Sequence, residues 1–157
     1  MNIIGATSKV PTDKIFTSGD YPVITQEVDS FIVGYTSNID PITDVPLIVF
    51  GDHSCTFKYV DFPFVRGADG TQLLKPNKSV DTKFLYYYLQ HVKITNADRY
   101  ERHYKYLKDI IIPSIDIEQQ RQIVAKIGEY EKAIAAAKAT MDTCVTRKAE
   151  IVQKYLS

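Results

Sequence analysis

Two short stretches hold most of the side chains that could do chemistry. The first, GDHSC at residues 51–55, sets Asp52, His53, Ser54 and Cys55 side by side. On a strand, neighbours point to opposite faces, so a nucleophile and its base rarely work from adjacent positions. A zinc site would need further Cys/His pairs at ligand spacing, and the two cysteines, Cys55 and Cys144, lie far apart. A structural or binding use of GDHSC is the stronger reading, with an enzyme built on His53 and a reactive Cys55 thiol as its rival. GADG at residues 67–70 lacks the flanking strand, helix and lysine that a phosphate-cradling loop requires.

The second stretch is basic and aromatic. Arg99, Arg102, His103, Lys105 and Lys108 are interleaved with Tyr100, Tyr104 and Tyr106. Guanidinium and ammonium groups neutralise phosphates, and an arginine can fork onto a guanine edge. Tyrosine can bond a phosphate or pack on a sugar. The same residues also fit a tyrosine core with a solvated charged rim. Lys58 and Arg66, within FKYVDFPFVRGADG, form a second basic candidate with the same two readings.

Charge distribution bears on the choice. The 157 residues carry 19 Lys+Arg and 19 Asp+Glu, for a formal net charge of +0. Residues 1–57 hold two basic side chains, Lys9 and Lys14, against seven acids, whereas residues 58–115 hold ten against six. One basic face on an acidic body suits a polyanion. No apolar run approaches the roughly 18 residues of a membrane span, and the first residues have no signal-peptide pattern. The expectation is a soluble, cytoplasmic chain with reduced thiols.

The elements that must position these groups follow from period and punctuation. As far as about Val65 the texture is β, with YPVITQ, SFIVGY and PLIVFG bounded by Gly, Pro, Asp and Asn. TSNIDPITD and RGADG are turn material. Ser79 or Asp81 caps a helix whose stripe is Phe84, Leu85, Tyr88, Leu89 and Val92. A loop then leads to an expected final strand at about 107–112, stopped by Pro113. The fold class is α+β: a small mixed-sheet domain over 1–115, then a long helix over 116–157.

Asp116 is a good N-cap, and Gln119 completes a capping box. From Ile117 to Leu156 there is no Pro and one Gly, which predicts a helix on the order of 40 residues, roughly 60 Å long. Ile123, Ile127, Tyr130, Ile134, Ala137 and Met141 alternate steps of four and three, the heptad seam of a coiled coil. Val145, Ala149, Val152 and Leu156 continue it with extra four-residue steps, a stutter that unwinds the supercoil. The expected use of this face is packing against a long helix of another chain. The alternative is a helix folded back on its own domain.

These residues also carry a family resemblance. IIIPSIDIEQQRQIVAKI resembles the segment that ends a target recognition domain and opens the spacer helix in specificity subunits of type I restriction-modification systems. The matching positions are Ile112, Pro113, Glu118, Gln120, Ile123 and Val124. Upstream, SGDYPVITQ, IVFGDHSCTFKYVDFPFVRGADG and RHYKYLKDIIIP are similar to family segments in the same order, so the likeness spans nearly the whole chain. Ile115 departs from it, since the family often has a second proline there. Copy number departs further: family members usually carry two recognition domains and two helices, and this sequence has one of each.

The resemblance implies a half specificity subunit that recognises double-stranded DNA and is not an enzyme. It implies self-pairing through antiparallel C-terminal helices, with Ile123, Ile127, Tyr130, Ile134, Ala137, Met141, Val145 and Val152 in the dimerisation seam. Such a homodimer reads an interrupted, palindromic site. The implied partners are an adenine methyltransferase subunit, which would bind S-adenosylmethionine, and a restriction subunit. The chain itself would need no cofactor and no metal. Chemistry and placement nominate Lys58, Arg66, Arg99, Arg102, His103 and Lys105 as phosphate or base contacts, and Gln26 and His53 as base readers. The competing function is a coiled-coil adaptor that does not bind DNA.

Overall fold

The computed structural model describes residues 2–3, 8–68, 70–92, 103–107 and 110–156. The chain divides into two compact units, Met1–Ile117 and Glu118–Ser157. Eight strands build the first: β1 (Asn2–Ile3), β2 (Lys9–Val10), β3 (Tyr21–Ile24), β4 (Gly34–Thr36), β5 (Leu47–Gly51), β6 (Phe57–Val60), β7 (Val65–Gly67) and β8 (Thr71–Lys75). Two helices accompany them, α1 (Thr82–His91) and α2 (Tyr104–Leu107). The expected mixed-sheet texture resolves into two four-stranded sheets. One runs β1-β8-β5-β6 and is antiparallel throughout; the other runs β2-β7-β3-β4 and is mixed, with β7 parallel to both β2 and β3.

The apolar run Leu47–Gly51 explains the layering. A strand exposes alternate residues on opposite faces, and β5 is buried on both. Ile48 and Phe50 join Leu74 and the α1 side chains Leu85 and Leu89, together with Leu107 of α2. Leu47 and Val49 point the other way, into a cluster with Ile24, Val60, Phe64 and Leu73. The antiparallel sheet is therefore covered by α1 on one face and by the mixed sheet on the other, as a near-continuous hydrophobic strand requires.

Asp81 is the cap of α1, its carboxylate accepting from Lys83 N and Phe84 N, both at 2.9 Å. The predicted stripe is present: Phe84, Leu85 and Leu89 are buried. Tyr88 at the stripe's edge donates its hydroxyl to Ile111 O at 2.8 Å. Among the described residues of the expected strand at 107–112, none is in a strand. Tyr104–Leu107 is a single helical turn, and residues 110–112 run without regular structure. Ile110 and Ile112 still pack on the α1 cluster while Ile111 is exposed. The alternation that suggests a strand is there, but no sheet edge is paired with it.

The second unit is helical. Helix α3 spans Ile117–Leu156, 40 residues directly after Asp116. From Glu129 to Leu156 every residue is exposed, including Tyr130, Ile134, Met141, Val145 and Val152 of the predicted seam. Among the described residues no helix is long and apolar enough to cross a membrane.

Candidate nucleic-acid interface

Three segments meet at the end of β5: the one after β3 at Gln26, residues 52–56 after β5, and the one after β7 at Gly70. Asp52 joins them. Its N–H donates to Gly70 O at 2.6 Å, and its main-chain oxygen accepts from His103 N at 3.1 Å. The same oxygen lies 2.8 Å from His103 Nδ1. A carbonyl only accepts, so His103 Nδ1 is the donor in this bond. The Asp52 carboxylate accepts from Tyr104 N at 2.8 Å. These bonds fasten α2 to the β5–β6 turn. GDHSC is thus a structural turn with a buried carboxylate at its centre, 2% exposed.

Gln26 braces the same turn. Its Oε1 accepts from His53 N at 3.1 Å, and its side chain occupies the space that a Cβ on Gly70 would need. Gly70 has φ +64°, a conformation that disfavours side chains. At Gly51 a Cβ would overlap Ser54 Oγ and Gln26 Cβ, so glycine ends β5 because three segments converge there. His53 itself is exposed at the tip of the turn.

The nominated residues separate into distinct environments. His53 and Lys105 are exposed and Gln26 is half-buried; Lys105 Nζ lies 4.9 Å over the Tyr106 ring. Arg99 and Arg102 lie outside the described residues. Three others are not surface cations, contrary to expectation. His103 is 1% exposed and forms the clamp on Asp52. Arg66 is 7% exposed because it sits on β7, a central strand, where its Nη1 donates to Thr71 O at 3.4 Å. Lys58 shares the inner face of β6 with Val60, and its ammonium donates to Ser30 O at 2.6 Å. Composition marks such residues as solvated charge; only tertiary pairing shows that they are buried and bonded.

Electrostatics argue against Cys55 as a nucleophile. Burial, and then the Asp52 carboxylate, push the Cys55 thiol above its ordinary range. A reactive cysteine requires the opposite shift. Burial and Asp52 also raise the Tyr104 phenol. Lys58 is lowered by burial, with Glu27 opposing. Among the described residues no three His, Cys, Asp or Glu side chains gather as a metal site. Asp52 is the site residue that the sequence conceals, because its role depends on partners 18 and 51 to 52 positions away.

No protein-family model matches the chain, and no curated protein matches it in sequence. Solved structures do. A chain from work on complex assembly and conformational transition of the type I R-M system superimposes with a TM-score of 0.61 at 19% identity, over 88% of this chain and 38% of that one. The HsdS subunit from Thermoanaerobacter tengcongensis gives 0.56 at 19% identity, over 85% of this chain and 35% of its own. The chain thus spans little more than a third of the proteins it matches. Two packed sheets, covered by α1 and followed by one long helix, thus share their fold with about a third of each of these two chains.

Proposed function

We propose that the chain is a sequence-specific double-stranded DNA recognition unit of a type I restriction-modification system. The carrying observation is the correspondence of domain and helix together, over 88% of the chain, with a type I R-M protein. In this reading the turns around Asp52 face DNA, with His53, Lys105, Arg99 and Arg102 as the contacts and Gln26 as a brace and base reader. No catalytic constellation is required of the chain. It acts by placing an adenine methyltransferase subunit, which binds S-adenosylmethionine, and a restriction subunit on a chosen site in the cytoplasm.

Two copies pair through antiparallel α3 helices, which places identical domains on identical half-sites of an interrupted palindrome. Support comes from the exposed seam on α3, where Tyr130, Ile134, Met141, Val145 and Val152 each stay more than half exposed. An apolar stripe of that length is a surface to be covered. The test is the salt dependence of duplex affinity by fluorescence anisotropy. A DNA reader loses affinity linearly in log salt, with a slope that counts phosphate contacts. Affinity absent at low salt would favour the adaptor instead.

A further inference from the structure

Lys58 is a charged side chain in an inner position, and its geometry says what it does there. The ammonium donates to Ser30 O at 2.6 Å and lies 5.9 Å over the Phe31 ring. Phe31 in turn packs on Phe62, with ring centroids 6.2 Å apart. The other end of the same loop is fixed through Gln26, whose Oε1 accepts from His53 N and whose main-chain oxygen accepts from Thr56 Oγ1 at 3.5 Å. Residues 27–32 are thus held at both ends, and all six stay exposed, Phe31 at 43% included. Val28 is 67% exposed. An ordered loop whose tip has no packing role is available for recognition.

We infer that residues 27–32 form a specificity-determining loop and that Lys58 is its positioning residue, acting from beneath rather than on a phosphate. This rests on the DNA-recognition reading above. The loop continues directly from Gln26 and so belongs to the same end of the domain as His53. Its chemistry suits a groove and not a backbone: carboxylates repel phosphates but accept from the amino groups of cytosine or adenine, and an apolar tip fits a thymine methyl. Lys58 supplies the compensating charge inside the loop, where Glu27 sits close enough to act on it.

Lys58→Met keeps the aliphatic stem and removes the donor to Ser30. Hydrogen exchange should show the bonded amides that close the loop, Glu27 N and Val33 N, opening at least tenfold faster while those of β5 stay unchanged. In library selections, discrimination at one or two base positions should fall roughly tenfold or more, with the salt slope of affinity equal to that of the wild type. Val28→Ser with Asp29→Asn, at the exposed tip, should alter preference at those same positions without changing the melting temperature. A salt slope reduced by about one would make Lys58 a phosphate contact and overturn the inference. So would unchanged loop exchange, or tip variants that keep base preference but weaken methyltransferase capture. A wild type that enriches no sequence would instead refute the DNA reading itself, and the exchange data would still decide whether Lys58 holds the loop.

Discussion

Replacing Asp52 tests the junction on which the interface is built. Asp52→Ala leaves the main-chain bonds to Gly70 O, His103 N and His103 Nδ1 in place, and deletes the carboxylate that accepts from Tyr104 N at 2.8 Å. A buried hydrogen bond to a charged group contributes about 1.5–3 kcal/mol. For a domain of this size each kcal/mol shifts the melting temperature by roughly 4 °C, so Asp52→Ala should lower it by about 6–12 °C. Asp52→Asn keeps the shape and a neutral acceptor, and should cost about half as much. Both should weaken duplex affinity, because α2, which carries Lys105, is fastened through this carboxylate. Thermal melting by circular dichroism and anisotropy on one duplex measure the two effects. An Asp52→Ala protein that melts within about 2 °C of the wild type would refute the assignment of Asp52 as the junction.

Three other outcomes are expected. Iodoacetamide at neutral pH should label exposed Cys144 well before Cys55, whose thiol is half-buried and raised by burial and Asp52; faster labelling of Cys55 would revive the thiol-enzyme reading. Because Cys55 and Tyr104 keep their protons in the folded state beyond their ordinary ranges, their contribution is complete below those ranges and is lost as pH rises through them. Stability measured by urea titration should therefore fall from about pH 9 upward, and a rise there would contradict the shifts. On the proposed pairing of α3, Ile134→Asp should dissociate the dimer, since two isoleucines buried by that pairing at roughly 2 kcal/mol each amount to about a thousandfold in dissociation constant. Sedimentation equilibrium reads this directly, and an unchanged melting temperature for the sheet domain would show that the effect is confined to α3.

Local signals were legible wherever one segment decides its own structure. Asp81 and Asp116 mark the helix starts, Pro113 precedes the long helix, and the apolar run of β5 announces a strand covered on both faces. Pairing was not legible, because the bonds that matter join residues distant in sequence. One expected sheet became two because β3 pairs β7 across some forty residues. Leu107, expected to open a strand, instead ends a helical turn drawn onto Asp52 through the Tyr104 and His103 main chain. Residue types suggested three cationic contacts at Lys58, Arg66 and His103, but each lies where a buried oxygen atom requires a donor. The exposed members, His53 and Lys105, are those whose neighbours leave them outside the core.

DNA recognition is tested most directly by selection from a randomised duplex library, performed with the chain alone and with the methyltransferase subunit proposed as its partner, at two salt concentrations. The account predicts enrichment of one interrupted palindrome, retained when salt is raised while bulk binding to other sequences falls. A pool that stays random in every condition, although the methyltransferase subunit is bound, would contradict it and assign the chain to assembly without DNA recognition.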